Sequence, residues 1–366
     1  MFDLVTEYID NNWVLNKKIP YFDVAVNRGY KNVYRYYGGR VCADGKEKLY
    51  MFSLTKPLTA VLMLRLIEDG KASLDDDVAD YIPAFKSAYY FAGGEKMKAD
   101  IKIRHLLTMT SGLNYDLKSQ SINEVKILLG NKATTFDIVS AYSHEPLEFK
   151  PGERFLYSLS FDVLAAIIER ISGARFSDYI DRVIFKPLGM NNSSVKSCNN
   201  VPDVFIFDEK SGIRKTDNNA YYDFIFTDEY ESGGAGLISS VEDYLQFAET
   251  LANGGVAKNG YRLLTQKSLD LMAENHISNI SFGNSFTCVQ GTDYGYGFGV
   301  RTRTKESAGG VPVGEFGWDG AAGSYLLVDP KNCVSVVIGL NVLNWPSFFK
   351  GEHLKIIEKI YSELHI

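Results

Sequence analysis

From Leu58 to Asp69 the chain reads LTAVLMLRLIED, apolar on nearly every face of a helix, with Gly70 following where a left-handed C′ residue is favoured. A helix without a polar side has to be surrounded by protein, so the fold must enclose a central helix. With 366 residues, 45% of them hydrophobic and 23% charged, the chain can do so as one two-lobed unit or as two ordinary domains.

Strand patterns stand on both sides of that helix. YFDVAVNRGY and NVYRYYGGRV meet near Gly29 like a hairpin, after an amphipathic helix that runs through about Asn16. YGYGFGVRTRT, SYLLVDP and CVSVVIGLNVL return to strand near the other end, before a closing amphipathic helix from about Phe348 to Leu364. Between them, roughly Leu74 to Asn200, the pattern is helical and punctuated by prolines. DVLAAIIERIS ends at Gly173, and FSDYIDRVIF is expected to end before Pro187. VFIFDEKSGIRK reads as a hairpin, and SVEDYLQFAETLANGG as a helix capped by Ser239 or Ser240 and closed by Gly254. The expectation is an α+β fold: an antiparallel sheet flanked by helices, built from residues 1–75 and 225–366, with a mainly helical lobe at 76–224 inserted between them. A ligand site is expected between the lobes.

The net charge of −6 argues against a nucleic-acid partner, and no apolar run is long enough to span a bilayer. The start, MFDLVTEYIDNNWVL, carries acids early and lacks a basic region before an apolar stretch, which reads as cytoplasmic and not as a secretory signal. Cys42, Cys198, Cys288 and Cys333 are far apart, without C-x-x-C spacing, and read as free thiols. Neither these cysteines nor the five histidines have metal-ligand spacing, so no metal and no cofactor is expected. There is no G-x-S-x-G elbow, and a Ser-His-Asp triad is a poor runner-up.

Ser53-Leu54-Thr55-Lys56 is an S-x-x-K tetrapeptide. Composition alone produces about one or two of these in a chain this long, and Ser193/Lys196 and Ser347/Lys350 also match. Only Ser53 opens the all-apolar helix. At i and i+3 on a helix two side chains share a face, so the Lys56 ammonium can reach the Ser53 hydroxyl, and a helix N-terminus favours developing negative charge. Pro57 lacks an N–H, which this early in the helix forfeits at most one hydrogen bond. Without its context the same pair would read as an N-cap serine beside a solvated lysine.

That context resembles the serine β-lactamase/penicillin-binding-protein family. LYMFSLTKPLTAVLMLRLIEDGKASLDDDVADYIPAF is similar to its first motif region, and IKIRHLLTMTSGL to the next landmark, with Met109 where His is frequent. PGERFLYSLSFDVLAAIIERISG resembles the tyrosine-containing second motif, SGGAGLISSVEDYLQFAETLANGG a later stretch, and FGWDGAAGSYLLVDPKN the third motif region. The landmarks keep family order from about Ile19 to Leu343.

The resemblance implies Ser53 as acylated nucleophile, Lys56 as its neighbour and Tyr157 as proton carrier. A phenol with a reference pKa of about 10 serves as base only if nearby cations stabilise its phenolate. Lys56 could supply that charge or act as base itself, and the proton belongs to the couple. The second motif commonly reads Tyr-x-Asn, whereas here Tyr157-Ser158-Leu159 is followed by Asp162, closer to the family VIII carboxylesterases. In the third motif, Trp318-Asp319-Gly320 stands where penicillin-type enzymes carry Lys or His, then Ser or Thr, then Gly. These three residues are expected to line the substrate, and an indole and a carboxylate there disfavour anionic substrates. A literal Lys210-Ser211-Gly212 reads as a hairpin turn. By resemblance the oxyanion hole consists of the backbone N–H groups of Ser53 and Ala321.

The expected partner is a small-molecule ester or amide. Three activities fit this pattern: a carboxylesterase for small or medium acyl esters, a β-lactamase or D-Ala-type peptidase, and a catalytically weak binding protein on the same fold. Ester turnover, nitrocefin turnover and fluorophosphonate labelling separate them.

Overall fold

The computed structural model describes residues 2–15, 19–40, 43–195, 203–216, 226–282, 293–345 and 351–366. The strands that frame the site are β1 (Phe22–Arg28), β2 (Lys31–Gly38), β3 (Leu49–Phe52), β4 (Leu237–Ser239), β5 (Tyr294–Tyr296), β6 (Arg301–Arg303), β7 (Phe316–Asp319), β8 (Tyr325–Asp329) and β9 (Val334–Leu340). Seven of them form one antiparallel sheet in the order β5-β6-β7-β8-β9-β1-β2, so the two ends of the chain meet where Val24 pairs with Ile338 at the centre of the β1–β9 ladder. The hairpin at Gly29 closes β1 onto β2, with Gly29 at a positive φ of 60°.

Strand alternation divides the sheet into two faces. Val24, Val26, Tyr325, Leu327, Val336 and Ile338 face helices α1 (Asp3–Ile9) and α5 (His353–Leu364). Ala25, Phe316, Trp318, Leu326, Val328 and Val337 face the main core, and α4 (Val241–Ala252) lies on that side across β9, β1 and β8. Ser240 caps α4 by accepting from the N–H of Asp243.

The all-apolar helix is α2 (Thr55–Glu68). Eleven of its fourteen residues are buried, so it is enclosed on every side; α3 (Ser160–Ser172) packs along it. Gly70 and Gly173 end α2 and α3 in the left-handed conformation. Truncating one of its fully buried leucines, such as Leu62, removes contacts worth about 2–5 kcal/mol.

Several local expectations change. The segment 176–188 continues helically through Pro187, because the chain shifts to wider turns over Asp181–Phe185 and the proline enters at the first turn of Lys186–Leu188, where no N–H is needed. YGYGFGVRTRT is two strands, β5 and β6, turning at Gly299 with φ 73°. A hairpin, Tyr89–Ala92 with Glu95–Lys98, interrupts the helical region; its mostly exposed strands carry no core alternation to read. The 205–215 hairpin forms as expected and runs parallel to Val342–Leu343. Cys333 is a free, half-buried thiol, whereas Cys42, Cys198 and Cys288 lie outside the described residues.

Candidate active site

Two helix N-termini and the end of one strand converge on Ser53. The strand β3 pairs with β4, with a register shift between Tyr50 and Phe52, and Phe52 takes a positive φ of 47°. A non-glycine residue there is strained, and the surrounding bonds hold it. The Phe52 carbonyl accepts from Thr55 Oγ1 at 2.6 Å, and Thr55 Oγ1 in turn accepts from the N–H of Leu237 at 3.0 Å. Ser53 therefore sits in a tight turn one residue ahead of Leu54, the N-cap of α2, and does not itself cap the helix. Its carbonyl accepts from the N–H of Lys56 at 3.1 Å, so the carbonyl that Pro57 cannot serve is already satisfied.

Lys56 is fully buried, and its Nζ donates to Ser53 Oγ at 3.1 Å and to the Gly234 carbonyl at 2.7 Å. Tyr157 stands just before α3, where the Leu156 and Leu159 N–H groups donate to the carbonyls of Met109 and Asn114. From there its hydroxyl donates to Ser53 Oγ at 2.7 Å. The Lys56 Nζ also lies 4.6 Å from the centre of the Tyr157 ring, close enough for a cation–π attraction of about 1–2 kcal/mol. Ser53, Tyr157 and Ala321 remain partly exposed.

Tyr157 stacks with two aromatic rings. Tyr115 stacks on it with centroids 5.4 Å apart and planes 6° apart, and Trp318 stacks on it at 5.8 Å and 24°. The Trp318 Nε1–H donates to the Tyr157 oxygen at 3.4 Å, and Tyr296 meets the indole edge-on. Tyr115 was not singled out from the sequence: its only local signal is one tyrosine among 23.

The third-motif residues separate. Trp318 faces Tyr157, whereas Asp319, expected beside the substrate, turns to the opposite face of β7 toward α5. Its carboxylate lies 3.5 Å from Arg301 Nη1 and 4.0 Å from His353 Nδ1. The reason is strand alternation, since Asp319 pairs across with Tyr325 on the α1–α5 face. Gly320 lies so close to β3 that a Cβ there would stand 2.5 Å from the Met51 carbonyl. Ala321 and Ala322 pack against Phe52, the residue that precedes Ser53. Among the described residues, no protein acceptor engages the N–H of Ser53 or of Ala321.

The other candidates go elsewhere. Ser193 bonds to Ser239 and Asp243, while Lys196, Ser347 and Lys350 lie outside the described residues. Lys210-Ser211-Gly212 is an exposed hairpin turn around Asp208. His105 accepts from the Lys102 N–H and His276 stacks on Phe298, so neither is a base for Ser53. Among the described residues, no helix is long and apolar enough to cross a membrane.

A seven-stranded antiparallel sheet with a buried helix leading from its S-x-x-K turn defines a β-lactamase-fold hydrolase. The family model for beta-lactamases matches residues 4–358, and the chain belongs to that family. Among its relatives, Esterase EstB of Burkholderia gladioli is 28% identical over 316 residues, spanning 79% of this chain and 76% of that protein. Protein Rv1367c of Mycobacterium tuberculosis (strain ATCC 25618 / H37Rv) is 28% identical over 299 residues, spanning 76% and 73%. Among solved structures, EstCE1, described as a hydrolase with promiscuous acyltransferase activity, superposes with a TM-score of 0.81 at 24% identity, covering 98% of this chain and 97% of its own.

Proposed function

We propose that the protein is a serine carboxylesterase that hydrolyses neutral esters of small or medium acyl groups through an acyl-enzyme on Ser53. The observation that carries this reading is the double engagement of Ser53 Oγ, by Tyr157 OH at 2.7 Å and Lys56 Nζ at 3.1 Å. Ser53 Oγ attacks the ester carbonyl while its proton passes to the Tyr157–Lys56 couple. The new oxyanion lies between the N–H groups of Ser53 and Ala321, donors that lower the barrier by a few kcal/mol at about 2.7–3.1 Å. Collapse expels the alcohol, which takes the proton back from the couple. Water then adds to the acyl-enzyme by the same route, and the acid leaves. α2 begins two residues after Ser53, so its dipole favours negative charge there.

The preference for esters over anionic β-lactams rests on Trp318. An indole supplies apolar surface and one neutral donor where a carboxylate-binding cation would stand. The relationship to Esterase EstB supports the same substrate class. Purified protein should turn over p-nitrophenyl butyrate, and Ser53→Ala should abolish it; unchanged turnover in that variant rejects the assignment. Nitrocefin turnover in place of ester turnover would make it a β-lactamase, and failure of Ser53 to react with a fluorophosphonate would make it a binding protein.

A further inference from the structure

Asp162 has no role in the reaction just described, yet it is only 2% exposed. It stands in the first turn of α3, five residues after Tyr157. Tyr230 OH and Ser232 Oγ both donate to its Oδ1 at 2.6 Å. Ser232 Oγ also accepts from the N–H groups of Gly234 and Ala235, so the carboxylate anchors the turn 232–235 through that hydroxyl. The same turn supplies the Gly234 carbonyl to Lys56 and the Gly233 carbonyl to Thr59, one helical turn further along α2.

Gly234 is the contact point between the two charges. A Cβ at that position would stand 2.7 Å from Asp162 Oδ2 and 3.5 Å from Lys56 Nζ. A Cβ there would force the carboxylate to shift, and the carboxylate and the ammonium flank one residue. An ammonium with no exposure needs a nearby negative charge, since an uncompensated buried ion is strongly unfavourable. Burial pushes the Asp162 carboxyl upward, while the bonds from Ser232 and Tyr230 and the field of Lys56 pull against it. The titratable groups facing this pair are Tyr230, Tyr115 and Tyr157. Burial raises Tyr230 and Tyr115 well above the ordinary phenol value, which keeps both neutral.

We infer that Asp162 is a positioning residue for acylation: it clamps the turn that holds Lys56 and is the buried counter-charge to the Lys56 ammonium, leaving Tyr157 as the proton acceptor from Ser53. The inference rests on the esterase reading above and assigns the Tyr157–Lys56 couple its division of labour. With Asp162 ionised, Lys56 is the cation and Tyr157 the base. Without that charge, the ammonium loses its counter-ion and releases its proton more readily.

The test compares the rate of Ser53 labelling by a fluorophosphonate, from pH 5 to 10, in the wild type, Asp162→Asn and Tyr230→Phe, each checked by thermal unfolding. Asp162→Asn keeps an acceptor for Tyr230 and Ser232 but removes the charge. It should label at least roughly tenfold more slowly, with the alkaline limb about one unit lower in pH. Tyr230→Phe removes one donor from the carboxylate, so Asp162 protonates earlier as pH falls and the acid limb moves to higher pH. If Asp162→Asn does not fold, Tyr230→Phe decides alone, and an unmoved acid limb overturns the proposal. Slower labelling of Asp162→Asn with both limbs unmoved also overturns it, because that is the signature of a merely structural carboxylate. A wild type that does not label overturns the esterase reading and this proposal together, whereas a labelled wild type with an unaltered Asp162→Asn overturns this proposal alone.

Discussion

The indole N–H of Trp318 points at the phenol oxygen of Tyr157, 3.4 Å away, while the two rings stack. The residue in the third-motif position therefore touches the phenol that bonds Ser53, beyond any surface it offers to substrate. Trp318→Phe keeps the apolar face and removes the donor. A neutral hydrogen bond of about 0.5–1.5 kcal/mol corresponds to a roughly two- to thirteenfold loss in kcat for p-nitrophenyl butyrate. KM should change little. A change in KM alone would make Trp318 a substrate contact only.

Tyr157→Phe removes one hydroxyl and leaves the ring stacked with Tyr115 and Trp318. Acylation should fall by roughly 10²- to 10⁴-fold, the range for a general base. Thermal unfolding should shift by no more than a lost hydrogen bond, about 1 kcal/mol. Stopped-flow release of p-nitrophenol measures the first and calorimetry the second.

Gly320→Ala places a methyl 2.5 Å from the Met51 carbonyl, so β7 and the strand leading to Ser53 must separate. The expected destabilisation is about 1–3 kcal/mol, and the Ala321 N–H moves with the backbone. Denaturant unfolding should show the lower midpoint, and ester turnover should fall by more than stability explains at a temperature where the variant is fully folded.

Asp319→Asn tests the face assignment of β7. With its carboxylate against Arg301 and His353, the change should destabilise by about 1–3 kcal/mol. The ratio of kcat/KM for neutral and anionic esters should stay at its wild-type value. A shift of that ratio toward anionic esters would return Asp319 to the substrate.

His353 is fully buried, and desolvation, with repulsion from Arg301 behind it, lowers its pKa to about 4 against the attraction of Asp319. The unfolded chain takes up the proton near 6.5, so between about pH 6.5 and 4 the unfolded state binds more protons and stability falls as pH falls. Above pH 6.5 this contribution is fully present. Replacing His353 with Asn should flatten the stability–pH curve across that window, measured by urea unfolding at half-unit steps; identical slopes would refute it.

Much of this architecture was legible in residue order. The apolar run of α2, the alternation in β1, β8 and β9, and the glycines that end α2 and α3 are local signals, each carried by a few adjacent residues. The candidate residues Ser53, Lys56 and Tyr157 were legible because motif spacing survives in one dimension. The hairpin at 89–98 was not, since exposed strands carry no apolar alternation. The continuation through Pro187 was not, because a proline excludes an interior helical N–H but not one at a first turn.

The sequence by itself determined that a helix with no polar side must be enclosed and that a serine three residues before a lysine stands at its entrance. The tertiary structure alone decided which residues surround that serine. Tyr115 reaches the site by stacking on a residue 42 positions away, and Asp162 faces Lys56 across a glycine whose missing Cβ would crowd the carboxylate. Asp319 leaves the site because the pleat of β7, set by its pairing with β8, sends adjacent side chains to opposite faces. Such contacts arise from long-range packing, which local spacing does not encode.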